Sequence, residues 1–93
     1  MQLIEIYGDP ADQTHMRRTA IEFEMREFAP PSQPLGVSAE MASTSSLFLT
    51  APPGWDKNFH PTPRKQLAVV LDGHVCLTVL DGETIDLKPG NTF

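Results

Sequence analysis

With 93 residues the chain is expected to build one small domain and not two, since a domain needs about 50 to 150 residues. Its composition, 40% hydrophobic and 20% charged, matches ordinary soluble globular proteins, and no run approaches the roughly 20 apolar residues that span a bilayer. A net charge of −5, with no basic cluster beyond the pair Arg64 and Lys65, argues against nucleic acid as a partner.

The amino terminus, MQLIEIYGDP, has neither a basic start nor a long apolar stretch and does not read as a secretory signal. Leu3 to Tyr7 is short and β-branched, with Ile4 and Ile6 on one face of a strand, and YGDPAD after it supplies turn residues. In TAIEFEMREF, Ile21, Phe23 and Met25 alternate with Glu22, Glu24 and Arg26, the pattern of a half-buried strand. A helix stays open as the alternative, because Ile21, Met25 and Phe28 also fall at helical spacing. APPSQPLG reads as a loop, since its prolines remove backbone donors and bias their predecessors towards extended conformations. Thr44 to Thr50 reads as another strand, closed by the turn APPGW.

The carboxyl end is the most regular part. QLAVVL is followed by Asp72-Gly73, VCLTVL by Asp81-Gly82, and ETIDL by Pro89-Gly90, which predicts a β-meander with tight hairpins at the Asp-Gly pairs. LAVVL is apolar at every position, the pattern of a strand covered on both faces. Cys76 lies inside such a run and reads as a buried, inert thiol in a reducing compartment, so the expected location is cytoplasmic. The fold class is all-β, a sandwich or barrel.

Trp55, the stretch His60 to Gln66, Gly73, Gly82 and Pro89-Gly90 resemble a small single-domain cupin, a β-barrel of the jelly-roll type. The family's first motif runs from a glycine through His-x-His to a glutamate and, six residues later, a second glycine. Its second motif centres on a Pro-Gly turn and ends in a histidine. Here Gly54 precedes His60, Gln66 stands at the glutamate position, and residues 67 to 72 separate it from Gly73, while Gly82 and KPGNTF match the opening of the second motif. ADQTH together with W…HPTPRKQ narrows the likeness to a group of short bacterial cupins. The resemblance implies one cupin-like domain over 1–93, with amino-terminal strands and a proline-rich loop in 1–50, the motifs in 51–93, and a barrel incomplete at the carboxyl end.

It also implies a metal site at His60 and Gln66, but Thr62 replaces the second histidine and Phe93 precedes the place of the last one. Two ligands, one of them a weak neutral amide, are not expected to hold Fe, Mn, Ni or Zn tightly. Pro61 and Pro63 further argue against a regular strand there, and a lone loop histidine is more often structural than ligating. Gln66 shares strand parity with Ala68 and Val70, so it either orients a polar ligand in an apolar pocket or ties down the preceding loop. Arg64 has the planar fork that clamps a carboxylate or phosphate, against the plainer reading of a solvated charge. Trp55 lids a pocket edge, packs beneath its loop or joins an interface, with packing the leading reading. His74 is expected to be exposed and His15 to be a loop-to-strand residue with no visible partner. No nucleophile constellation stands out around Cys76 or the serines at 43, 45 and 46.

The expected function is a cupin-type module that binds or senses a small molecule without a tightly bound metal, with Gln66, Arg64 and Trp55 as ligand contacts. The alternative is a metal-dependent oxygenase or isomerase completed by residues beyond Phe93 or by a partner chain. A structural or interaction domain is the third reading. Exposed apolar faces and open sheet edges predict a homodimer.

Overall fold

The computed structural model describes residues 1–56 and 58–93. Among them there are six strands and no helix: β1 (Gln2–Gly8), β2 (Thr14–Ala20), β3 (Glu24–Arg26), β4 (Leu35–Val37), β5 (Val75–Thr78) and β6 (Thr84–Leu87). They pair antiparallel as β1-β2, β3-β4 and β5-β6, so the fold is all-β, in small sheets and not a closed barrel. Residues 1–20 and 58–93 form one compact unit, and residues 21–57 form a second.

In the first unit, β1 and β2 are in register from Gln2↔Ala20 to Gly8↔Thr14. Side chains alternate across a strand, so Glu5, Tyr7, His15, Arg17 and Thr19 share one face, and Ile4, Ile6 and Met16 the other. The connecting turn closes through Asp9 N–H to the Gln13 carbonyl at 2.8 Å. Asp12 has φ 59°, a left-handed conformation that aspartate tolerates better than most residues.

The meander expected at the carboxyl end is present in shortened form. β5 and β6 pair from Val75↔Leu87 to Thr78↔Thr84. Gly73 and Gly82 have φ of 77° and 95°, which a Cβ would strain. Residues 68 to 70 do not belong to a long strand: Ala68 and Phe93 exchange backbone hydrogen bonds, Val69 bridges Thr92, and Val70 bonds Asn91 and Gly90. The Thr92 carbonyl accepts from Ile4 N–H at 3.1 Å, which ties β1 to this end of the chain. Among the described residues the buried apolar ones are Val70, Val79 and Leu87, one from each successive segment of the meander, with Leu87 fully buried.

Three local readings are corrected. LAVVL is covered on one face only: Val70 is buried, whereas Leu67, Val69 and Leu71 are 52%, 52% and 67% exposed. An apolar run alone does not distinguish one covered face from two. The stretch 19–28 is neither one strand nor a helix, because β2 ends at Ala20 and only Glu24 to Arg26 pairs again, with Met25 71% exposed. Its partner, Leu35–Val37, takes up the end of the segment expected to be loop. Thr44 to Thr50 forms no strand; the Ser43 hydroxyl donates to the Ser45 carbonyl at 3.0 Å, a local bond of the kind that competes with a ladder.

The burial pattern predicts an uneven response to truncation. Leu87→Ala is expected to cost about 2 to 5 kcal/mol in urea denaturation, and Leu71→Ala about 0.5 kcal/mol or less. Equal destabilisation at the two positions would contradict the one-sided sheet.

Candidate functional site

His60, Arg64 and Gln66 lie on one exposed segment of the first unit that is not a strand and bends at Pro63 and Arg64, and Trp55 lies in the second unit at 64% exposed. The His60 ring Nδ1 is 3.2 Å from the Pro61 carbonyl. Gln66 precedes the bridge at Val69 and is exposed, although Ala68 and Val70, which share its parity, turn inward. Among the described residues, the side chains of Arg64 and Gln66 have no hydrogen bond or ion pair. The described residues also contain no group of three or more His, Cys, Asp and Glu side chains placed to hold a metal ion.

The most highly organised polar cluster surrounds His15, which sits in β2 and is not the partnerless residue expected from the sequence. Its Nε2 is 2.7 Å from Asp9 Oδ2 and its Nδ1 is 2.8 Å from Asp81 Oδ2. An ionised carboxylate only accepts, so both ring nitrogens donate and the ring is an imidazolium. Hydrogen bonding to Asp9 and then to Asp81 raises the His15 pKa against a smaller opposing effect of burial. The converse holds for the acids: Asp9 is lowered chiefly by His15, and Asp81 chiefly by the Glu83 N–H and then by His15.

Each carboxylate is fixed by its own turn. Asp9 Oδ1 accepts from the N–H groups of Ala11 and Gln13 at 2.8 and 3.0 Å, an Asx-type turn closure. Asp81 Oδ1 accepts from Glu83 N–H at 2.8 Å. The Thr14 hydroxyl accepts from Leu80 N–H at 2.7 Å, and the Thr14 carbonyl from Asp81 N–H at 3.2 Å, so the β1-β2 turn and the β5-β6 turn are joined by backbone as well.

Further along the same hairpin face, the Tyr7 ring lies between two cations. Its centroid is 5.6 Å from that of His15, and the Arg17 guanidinium sits 4.6 Å above it. Arg17 donates through both Nε and an Nη to Glu5, at 2.7 and 3.1 Å, and the Thr19 hydroxyl donates to Glu5 as well. These bonds, Arg17's first, hold the Glu5 carboxyl down at about 2. The row from Asp81 through His15, Tyr7 and Arg17 to Glu5 is thus internally satisfied. While both nitrogens are protonated, the His15 ring carries no lone pair.

Cys76 is exposed, which corrects the buried reading; it stands opposite Asp86 across β5-β6. Partial desolvation and then the Asp86 carboxylate raise its pKa, which favours the thiol although the residue is exposed. His74 is exposed and reaches Asp86 at 3.1 Å. Neither half of the His15 pairing was legible in the sequence, where Asp9 stood out only as a turn residue. The other half, Asp81, lies 66 residues away and carried no local signal.

Alkylation of the native protein checks the Cys76 placement. Iodoacetamide at pH 8 should modify Cys76 fully without denaturant, and faster in Asp86→Asn, where the thiol pKa falls. Protection of Cys76 until the chain is unfolded would show a buried residue.

No protein-family model, curated protein or solved structure matches this chain.

Proposed function

We propose that the chain is a cytoplasmic, cupin-type small-molecule binding or sensing module that takes an anionic ligand, a carboxylate or phosphate, at Arg64 and Gln66 without a tightly bound metal. The observation that carries this reading is the unmatched Arg64 guanidinium. In a chain with 12 acids against 7 Lys and Arg, Arg17, Arg18 and Arg26 each meet a glutamate, whereas Arg64 meets no carboxylate among the described residues. The Arg64 guanidinium fork, with the Gln66 amide two residues on, supplies charge and directional donors for one anion. The exposed row Leu67, Val69 and Leu71 follows directly and supports a homodimer in which a second copy covers that face and completes a barrel.

Calorimetry with inorganic phosphate and with citrate as probes tests the site. Saturable binding that weakens about 10- to 100-fold in Arg64→Gln, and is unchanged in Lys88→Gln, is the expected result. No saturable heat, or equal affinity in Arg64→Gln, would refute it. Stoichiometric Fe, Mn, Ni or Zn in protein purified without added metal, lost in His60→Ala, would overturn the metal-free part in favour of a metal-dependent enzyme.

A further inference from the structure

We infer that Asp9, His15 and Asp81 form a pH-operated latch, which holds the tip of the β1-β2 hairpin on the β5-β6 turn when the imidazole is charged and lets it go when the ring loses a proton. One ring bonds two carboxylates at 2.7 and 2.8 Å, and each carboxylate belongs to a different turn and is anchored by backbone N–H groups of that turn. Neither acid therefore turns away without breaking its own turn closure.

A neutral imidazole carries one N–H and one lone pair. Whichever tautomer forms, the lone pair faces a carboxylate oxygen at hydrogen-bond distance, and the two repel. The bond to Asp81 is the one that breaks. Asp9 is six residues from His15 within one hairpin, whereas Asp81 is 66 residues away, so keeping the local bond orders less chain than keeping the distant one. No nearby charge takes over. The groups that face His15 are Asp9 from the β1-β2 turn, Asp81 from the β5-β6 turn and the Tyr7 ring from β1. Arg17 lies over Tyr7 and is held by Glu5; Arg18 and Glu83 face one another at 3.8 Å. The ring and its two acids are 28 to 31% exposed, so protons reach them from solvent without unfolding.

The signs follow from the shifts. His15 has a folded pKa above its ordinary 6.5, so its contribution is complete below pH 6.5 and is lost as pH rises through the folded value. Asp9 and Asp81 have folded pKa values below their ordinary 3.8, so theirs is complete above pH 3.8 and is lost as pH falls through the lowered values. The latch is fully closed between these limits and opens on the alkaline side of 6.5. What opens first is the pair of bonds that the latch supports, from Leu80 N–H to the Thr14 hydroxyl and from Asp81 N–H to the Thr14 carbonyl.

An NMR titration of the full chain from pH 5 to 9 tests this directly. The His15 ring is expected to titrate above 6.5, and the hydrogen-exchange protection of the Leu80 and Asp81 amides to fall about tenfold or more along the same curve, after correction for base catalysis. The Ile6 and Met16 amides, inside the hairpin, should keep theirs. Asp81→Asn should lower the His15 pKa, and His15→Gln should make Leu80 protection independent of pH. A His15 ring that titrates at or below 6.5, or amide protection at Leu80 and Asp81 that is unchanged through its titration, would overturn the latch; both readings come from the unsubstituted chain.

Discussion

An imidazolium held between two carboxylates is the contact that fastens the tip of the β1-β2 hairpin to the β5-β6 turn. Asp9 and Asp81 each close their own turn through backbone hydrogen bonds, and His15 joins the two turns by committing both of its ring protons. Hydrogen bonds with an ionised partner are about twice as strong as neutral ones, and fixed carboxylates leave the ring little freedom to lose on pairing. Thr14, next to His15, then supplies two hydrogen-bond acceptors to the same β5-β6 turn. A single short segment of β2 thus connects sequence from both ends of the chain.

The weight on these polar contacts follows from the size of the core. Val70, Val79 and Leu87 are the buried apolar residues, while Leu67, Val69 and Leu71 remain in solvent. Burial of apolar surface is the main favourable term in folding, and small domains bury proportionally less of it. Here it is concentrated where the meander segments meet, and the outer end of the β1-β2 hairpin is held by charge. That division makes the hairpin tip responsive to protonation in a way that a tip packed in an apolar core would not be.

What was legible in the sequence was whatever local chemistry decides. Asp-Gly pairs demand positive φ, and Gly73 and Gly82 have it; Ile4 and Ile6 share a face because a strand alternates. What was not legible needed a partner distant in sequence. LAVVL carries no mark of whether one face or two are covered, and Thr44 to Thr50 has strand-forming residues but serines that bond within the loop. Of the residues singled out for binding, His60, Arg64 and Gln66 share a segment by sequence adjacency alone, whereas the His15 cluster is built by topology. Its partner Asp81 looked only like a turn residue, and it is one, with its second oxygen turned to the histidine.

A double-mutant cycle between His15 and Asp81 measures the central contact most directly, because it isolates the pairwise interaction from the separate effects of each substitution. Thermal unfolding of the unsubstituted chain, His15→Gln, Asp81→Asn and the double variant would be compared at pH 6 and pH 9. The two substitutions should be clearly non-additive at pH 6, with the coupling diminished at pH 9. Additivity at pH 6 would mean that the imidazolium does not hold the two turns together.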